Sequence, residues 1–347
     1  MSNMTEKTEK APVQEKKGSG KVAVVAAIAG NILVGVVKFI AAAISSSSAM
    51  LTEGIHSIVD SGNGVLVLLG LHRSKKEPDY LHPFGYGKEL YFWTLVVSLF
   101  IFLLGGGVSI YEGIVSLHEA QEGVKELGNV VVNYVVLIAA AIIEGSSLFV
   151  AVRQFNAARG EVPPLSFIKD TKDPSLFTVV LEDSAAELGL LFAFVAQLIM
   201  TFTGNLYADG IASILIGLLL CVVSVVLLTE TKGLLVGEGM KHQSLDEIRE
   251  MVESDERVVS CGRILSMYMG PDSLLITIDA TFHSQIKADD VLQAIDDIER
   301  RISQRWPQTK AVFIEVESMR NCIAQQLEES QWEDEDEDDE PEEILDV

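Results

Sequence analysis

The sequence predicts a membrane-embedded bundle of six α-helices followed by a small α+β domain. Six apolar stretches reach the roughly 20 residues that a helix needs to cross a bilayer, whereas beyond Thr229 the apolar residues recur with the periods of soluble helices and strands. Hydrophobic residues make up 48% of the chain and charged residues 22%, so the two kinds must occupy separate segments. The six stretches are residues 22–44, 50–71, 90–114, 130–152, 175–202 and 206–228.

Charge in the segments between the spans predicts the direction in which each span crosses. Lysine and arginine cluster in the N-terminal leader, in the loop HRSKK at 72–76 and in the loop after the fourth span, and these alternate with the segments SSSS, HEAQEGVKELG and TGNLY. Because basic loops stay on the cytoplasmic side of a membrane, both termini are predicted to be cytoplasmic. The chain is therefore expected to be a multi-pass integral membrane protein.

The segment after the last span predicts the element order αββαβ. SLDEIREMVES, with Ser244 as a candidate N-cap, is typical of a short helix, and ADDVLQAIDDIERRISQRW is a strongly amphipathic helix. The stretches RILSMYM, LLITIDATF and KAVFIEVES indicate three strands. This order predicts a ferredoxin-like or metallochaperone-like domain, with a mostly antiparallel sheet and its helices on one face.

Composition indicates the limits of the domains and excludes some partners. The formal net charge is −24, and residues 328–347 hold 13 acidic residues and no basic residue, which predicts a disordered tail. So acidic a chain is not expected to bind nucleic acid, and three scattered cysteines predict neither a disulfide framework nor a zinc knuckle. The predicted domains are a disordered cytoplasmic leader at 1–20, a transmembrane domain at 21–232, a cytoplasmic αββαβ domain at 233–320 and an acidic disordered tail at 321–347.

Ionisable side chains in two of the predicted spans form the candidate site. His56 and Asp60 in the second span are four residues apart, so their side chains lie on one helix face. Asp183 and Glu187 repeat this spacing in the fifth span, which runs in the opposite direction and can bring both pairs to one depth. Ionisable groups at membrane depth are costly and usually meet an ion or a proton. One imidazole nitrogen and several carboxylate oxygens suit zinc and also tolerate manganese, iron or cobalt.

Other polar residues in the spans receive less specific interpretations. Glu53 extends the face of His56 toward the external end, where it either lines an exit or lies at a partly hydrated helix end. Glu182 lies about 100° around the helix from Asp183 and is expected to face another helix or a water path. Lys38 is expected to extend its ammonium to the membrane surface rather than form an ion pair. Asn31, Glu144 and Asp209 either hydrogen-bond between helices or form part of a hydrated vestibule, and the structural role is favoured for each. The glycines at 105–107 allow close helix packing or a flexible point, and packing is favoured.

Four local motifs resemble one family. They are SSSAMLTEGIHSIVDSGNGVLVLLGL in the second span, HPFGYGKE in the next loop, LEDSAAELG in the fifth span and ADGIASILIGLLL in the sixth. With the six spans and the αββαβ segment, they make residues 21–318 resemble the cation diffusion facilitator family of divalent-metal transporters. GYGKELYFW, GGGVSIYEGI and LEDSAA resemble most a branch shared by bacterial and mitochondrial members, and a bacterial inner membrane is the expected location.

The resemblance implies roles for particular residues. In this family the pairs on the second and fifth helices bind the transported metal. Zinc-specific members commonly have His at the position of Asp183 and Asp at that of Glu187, so strict zinc selectivity is not implied. The resemblance also implies a homodimer formed through the C-terminal domain. The implied transport ligands are His56, Asp60, Asp183 and Glu187.

Two further metal positions of the family are altered in this sequence. Asp79 and His82 match a site in the loop after the second span of some members, but Tyr86 stands where a further His is expected, which predicts a weak or absent site. In the C-terminal domain the family often binds zinc through several His, whereas carboxylates alone suit harder cations. The corresponding residues here are Asp279, Glu315 and Glu317.

The predicted activity is export of Zn²⁺ from the cytoplasm in exchange for protons by alternating access, with no catalytic residue and no organic cofactor. With neutral His56 the empty site would carry three negative charges, so it is expected to hold protons that metal binding expels. Mn²⁺, Fe²⁺, Co²⁺ and Cd²⁺ are alternative substrates, and a non-transporting metal sensor or scaffold is the alternative of another class. An intramembrane aspartyl protease is a poorer account, because a His and a Glu accompany the two Asp residues, and no GxxxxGKS loop for ATP occurs.

Overall fold

The computed structural model describes residues 19–124 and 130–317, with side chains from Asn31 onward. The predicted acidic tail and all but the last two residues of the predicted leader lie outside the described residues. The helices are α1 (Ser19–Ser45), α2 (Ser48–Ser74), α3 (Glu89–Phe100), α4 (Val108–Glu122), α5 (Val130–Arg159), α6 (Pro164–Asp170), α7 (Pro174–Thr203), α8 (Tyr207–Val236), α9 (His242–Glu253) and α10 (Ala288–Arg305). The strands are β1 (Val258–Gly270), β2 (Ser273–Phe282) and β3 (Thr309–Val316).

Within residues 19–124 and 130–317, five helical segments are long and apolar enough to cross a membrane. They are α2, the continuous helix Glu89–Glu122, α5, α7 and α8, which confirms five of the predicted spans as helices of this length and composition. Within the described side chains of α1, the apolar stretch Asn31–Ser45 is shorter than this length. Each of the five helices continues past the C-terminal end predicted from hydropathy, because backbone hydrogen bonding continues into polar residues such as Arg159.

The third span is one helix with a π-helical segment, Ile101–Gly107, between α3 and α4. A Cβ at Gly217 of α8 would lie 2.8 Å from the carbonyl oxygen of Gly106, and one at Gly113 would lie 2.8 Å from the carbonyl oxygen of Gly210. The backbones of these helices therefore approach too closely for any side chain at these positions. Gly106 contributes its carbonyl oxygen to this contact, and the packing role predicted for the glycines at 105–107 stays a prediction.

Two local features differ from the prediction. The short helix α6 lies in the segment between the fourth and fifth spans, which the sequence indicates as a loop. Its Pro164 occupies the first turn, where the fixed φ of proline favours a helix start. In addition, α9 begins at His242 with Lys241 at its N-cap and no side-chain cap, so the predicted cap at Ser244 is wrong.

The described residues form two compact units. The first comprises the described part of Met1–Val65 together with Leu104–Ser147 and Ala185–Leu219. The second comprises Leu66–Leu103, Leu148–Ser184 and the described residues from Leu220 onward. The first unit therefore contains most of the polar residues predicted within the spans, and the second contains the whole αββαβ segment.

The C-terminal segment has the predicted order αββαβ, with the strands arranged β1-β2-β3. β1 and β2 pair antiparallel with Ile264 opposite Ile278, whereas β2 and β3 pair parallel with Ile278 opposite Ile314. The sheet is therefore mixed, and the prediction of antiparallel pairing is confirmed for β1 with β2 and wrong for β3. The crossover through α10 returns the chain to the end of the sheet where β2 begins, and a strand that starts there runs parallel to β2.

One hydrophobic core joins α9 and α10 to the sheet. Ile276 and Ile278 are alternate residues of β2 and point to the same face. The apolar stripe of α10 consists of Ala294, Ile298 and Ile302, spaced one helical turn apart, and each is fully buried. Both helices contribute to this core, as the amphipathic patterns predict.

Candidate transport site

The N-terminus of α2, the helix that carries the first predicted ligand pair, is capped by Asp209 of α8. The Asp209 carboxylate accepts hydrogen bonds from the backbone N–H groups of Ser48 (2.6 Å) and Ala49 (3.2 Å). It also accepts from the hydroxyls of Ser47 (2.6 Å) and Ser48 (2.8 Å). The first N–H groups of a helix lack intrahelical partners, and the helix dipole favours negative charge there. The interhelical role favoured for Asp209 is confirmed.

His56 and Asp60 lie against each other, one turn apart on α2. His56 Nε2 is 3.3 Å from Asp60 Oδ2, and the side chains are 2% and 14% exposed. His56 Nδ1 has no hydrogen-bond partner among the described residues. Since a buried polar atom without a partner is costly, a ligand that binds the imidazole would remove this cost. The pair presents one nitrogen and one carboxylate together, as the spacing predicts.

Glu187 of α7 belongs to the same unit and lines a cavity of about 380 Å³ between α5 and α7. A Cβ at Gly145 would lie 3.0 Å from Glu187 Oε1, so the glycine lets this carboxylate lie close to α5. The rest of the cavity wall is apolar and includes Leu137, Ile142 and Phe194. The role of Glu187 as a metal ligand stays a prediction.

Asp183 lies one turn before Glu187 on the continuous helix α7, so the two carboxylates share a helix face. Asp183 belongs to the second unit, and its neighbour Glu182 is buried. Within residues 19–124 and 130–317, no group of three or more His, Cys, Asp or Glu side chains is arranged to hold a metal ion. The predicted ligands are thus observed as two helical pairs, and their convergence on one ion stays a prediction.

Glu53 is held by Lys38 in a buried ion pair. Lys38 Nζ lies 2.9 Å from Glu53 Oε2 and 2.7 Å from Glu144 Oε1, and the Lys38 and Glu53 side chains have no exposed surface. The prediction that Lys38 extends to the membrane surface is wrong, because its ammonium meets two carboxylates inside the bundle. Burial also excludes a hydrated helix end for Glu53, whose place along a pathway stays a prediction. Opposite charges in three separate apolar spans are the sequence signal that could have indicated this cluster.

Asp79 and His82, the predicted second metal position, lie in the loop between α2 and α3. His82 Nδ1 is 3.3 Å from Asp79 Oδ1. The hydroxyl of Tyr86 (2.6 Å) and the ammonium of Lys76 (2.9 Å) both donate to Asp79 Oδ2 and hold the pKa of Asp79 well below its usual range. Protein donors thus satisfy the carboxylate that a metal would need, which is consistent with the predicted weak or absent site.

The carboxylates of the C-terminal domain face an arginine. Asp279 and Glu315 are direct neighbours across β2 and β3, and Arg263 Nε lies 3.7 Å from Asp279 Oδ2. Burial raises the pKa of Asp279, while the charge of Arg263 opposes this shift. Glu317 follows β3 directly. The part of the chain that the structure describes shows no metal-holding cluster in this domain.

Apolar helices that carry buried ionisable pairs, joined to a small αββαβ domain, define a multi-pass membrane protein of an ion-translocating class. Comparison with protein families identifies the kind of translocator, since the cation efflux transmembrane domain matches residues 24–236. The chain belongs to the cation efflux family, whose members are transporters and not enzymes. This confirms the resemblance that the local motifs indicate.

Relatives of this chain carry names that refer to different metals. Metal tolerance protein C4 of Arabidopsis thaliana is 32% identical over 273 residues, which cover 78% of this chain and 59% of that protein. The mitochondrial proton-coupled zinc antiporter SLC30A9 of Mus musculus is 30% identical over 282 residues, which cover 81% of this chain and 49% of that protein. Manganese efflux system protein MneP of Bacillus subtilis is 25% identical over 267 residues, which cover 74% of this chain and 82% of that protein. The chain spans 59% and 49% of the length of the first two relatives.

Proposed function

We propose that this protein exports Zn²⁺ from the cytoplasm in exchange for protons. The observation that carries the proposal is the buried pair on α2, in which His56 Nε2 lies 3.3 Å from Asp60 Oδ2. A neutral imidazole and a carboxylate are ligands that zinc takes in proteins. Membership of the cation efflux family and a relative named as a zinc antiporter support the proposal. The proposed ligands are His56, Asp60, Asp183 and Glu187.

The same residues supply the coupling to protons. A neutral imidazole and three ionised carboxylates would leave three negative charges in a poorly hydrated region, which is unfavourable. Protons bound to the carboxylates lower that cost while no metal is present. A divalent ion displaces them because it binds the deprotonated ligands. Alternating exposure of the site to the two sides of the membrane then moves metal in one direction and protons in the other.

Mn²⁺ is the second candidate substrate. The proposed site has three carboxylates and one imidazole, and carboxylate ligands suit manganese. A relative from Bacillus subtilis is named as a manganese efflux protein, which supports this alternative. Fe²⁺, Co²⁺ and Cd²⁺ are further ions to test. A non-transporting metal sensor or scaffold would bind the ion without moving it, so a flux measurement distinguishes that class.

The proposal includes the arrangement of the chain in the membrane. We take α1 as the first of six spans and both termini as cytoplasmic. Residues 21–232 and 233–320 are then the transmembrane and cytoplasmic domains of a homodimer in a bacterial inner membrane. The basic loops support this orientation, and two-fold dimers are the commonest oligomers. Glu53 and Glu182 are proposed to border the ion pathway, and Asp79 and His82 to form at most a weak second position.

Metal uptake into inside-out vesicles tests the proposal. Asp60→Ala and Asp183→Ala are expected to abolish zinc uptake, while their expression and gel-filtration profiles stay those of the wild type. Gly62→Ala is the matched control, since a Cβ at this position of α2 meets no atom within 4 Å. Normal uptake in either aspartate variant would contradict the assignment of the site. Saturable zinc binding with no uptake by the wild type would favour the sensor.

A further inference from the structure

The ammonium of Lys38 has one oxygen neighbour for each of its three donors. Glu144 Oε1 lies 2.7 Å from Lys38 Nζ, Glu53 Oε2 lies 2.9 Å from it, and Ser57 Oγ lies 3.0 Å from it. These oxygens come from α5 and α2, and Lys38 comes from α1. We propose that this cluster is a cation-binding site that the ammonium of Lys38 occupies. Because the lysine is part of the chain, it excludes a divalent metal from the site.

The oxygens form an enclosed ligand set. The side chains of Lys38 and Glu53 have no exposed surface, that of Glu144 is 11% exposed, and Ser57 is 3% exposed. Glu53 Oε1 and Glu144 Oε2 have no hydrogen-bond partner among the described residues, so both carboxylates retain acceptor capacity beyond their bonds to Lys38. Two carboxylates and a hydroxyl suit hard divalent cations such as Mn²⁺, Mg²⁺ and Ca²⁺. Lys38 occupies the position that such an ion would take.

The ammonium of Lys38 stays in the cluster, whereas a bound metal ion can leave it. Two buried carboxylates are unfavourable without a positive charge beside them, and Lys38 supplies that charge permanently. Glu53 lies on α2 one turn before His56, so without the lysine two divalent ions would bind close together on one helix. Lys38 thereby restricts this region to a single divalent ion. The inference rests on the proposed function only in taking the proposed transport site as the place where that single ion binds.

Counting the divalent ions bound to the purified full-length protein tests this inference. Equilibrium dialysis against Mn²⁺, followed by metal analysis, is expected to give one more bound ion per chain for Lys38→Met than for the wild type. The double variant Lys38→Met/Glu144→Gln is expected to lose that additional ion. Lys38→Arg is the matched control, because a guanidinium keeps the charge and the donors. An ion count for Lys38→Met equal to that of the wild type would overturn the inference.

A second measurement leaves Lys38 in place and does not depend on the folding of Lys38→Met. Glu144→Gln in the wild-type background is expected to leave the number of bound Mn²⁺ ions unchanged, because Lys38 and not a metal holds this carboxylate. The loss of one ion in Glu144→Gln would overturn the inference. Zinc flux reports separately on the proposed function. A wild type that fails to move zinc, with the Lys38→Met ion count still one higher, contradicts the transport proposal and supports the role of Lys38.

Discussion

Glu53 Oε1 of α2 lies against Gly189 of α7, so closely that a Cβ at position 189 would be 2.4 Å from this oxygen. The carboxylate has little freedom to move away, because its other oxygen is held 2.9 Å from Lys38 Nζ. Gly189 also follows the proposed ligand Glu187 by two residues. This contact therefore sets how closely α7 packs on α2 near the candidate site.

A side chain at position 189 is expected to destabilise the protein. Gly189→Ala should lower the free energy of unfolding by about 1–3 kcal/mol, the usual cost of overpacking a filled interior. Unfolding in detergent micelles with increasing SDS measures this change. Gly62→Ala, which meets no atom within 4 Å, is expected to be neutral or stabilising, since alanine favours a helix over glycine. Equal stability of the two variants would contradict the close packing at Gly189.

The cap on α2 is expected to depend on the charge of Asp209. Asp209→Ala leaves the N–H groups of Ser48 and Ala49 without their acceptor, and a hydrogen bond to a charged group contributes about 1.5–3 kcal/mol. Amide hydrogen exchange at these two residues should therefore accelerate. Asp209→Asn keeps one acceptor oxygen and should show a smaller effect. Wild-type exchange rates in Asp209→Ala would contradict the capping role.

The turn between α9 and β1 is expected to make the C-terminal domain sensitive to acid. Arg257 donates to Asp255 through Nε and Nη2, each at 2.8 Å, and holds the pKa of Asp255 below its ordinary value. Because the folded-state pKa is depressed, this contribution to stability is complete above the ordinary aspartate pKa of about 3.9 and is lost as the pH falls through the folded-state value. Asp255→Asn should therefore be less stable than the wild type at pH 7, and the difference should disappear in acid.

Fluorescence of the buried Trp306 can follow this pH dependence. The measurement is a urea titration of the full-length protein in micelles at several pH values, with Trp93 and Trp332 replaced by Phe in every variant. A difference between Asp255→Asn and its parent that stays constant from pH 7 to pH 3 would contradict the assigned ion pair.

Metal preference is expected to follow the ligands on α7. Asp183→His/Glu187→Asp introduces an imidazole in place of a carboxylate, and imidazole suits zinc whereas carboxylates suit manganese. The ratio of zinc to manganese transport should rise on the order of tenfold, which corresponds to about 1.4 kcal/mol. Uptake of each ion by vesicles measures the ratio, and Asp183→His alone separates the two changes. An unchanged ratio would contradict a role for these two residues in the metal selectivity of the site.

Features that depend on local spacing could be predicted from the sequence. The apolar run of α2 and the four-residue spacing of His56 and Asp60 predict a helix with both side chains on one face, and this arrangement is observed. The order of elements in the C-terminal domain likewise follows from local periodicity. The convergence of Asp183 and Glu187 with the first pair is not a local property, so it stays a proposal.

Features that depend on partners distant in the chain were missed. Lys38 pairs with residues 15 and 106 positions away. Opposite charges in apolar spans indicate that an ion pair can form, but they do not indicate which helices pack beside Lys38. The parallel pairing of β3 depends on where α10 returns the chain, which a strand pattern alone does not record. In both cases tertiary packing decides the outcome.

Simultaneous measurement of metal and proton movement distinguishes proton-coupled zinc export from the alternatives. Proteoliposomes carrying the purified full-length protein and a trapped pH-sensitive dye would be given a Zn²⁺ gradient. We expect proton movement opposite to zinc movement, the loss of both in His56→Ala and Asp60→Ala, and wild-type movement of both in Gly62→Ala. Zinc movement without a proton counterflow, or coupled movement that persists in Asp60→Ala, would contradict this expectation.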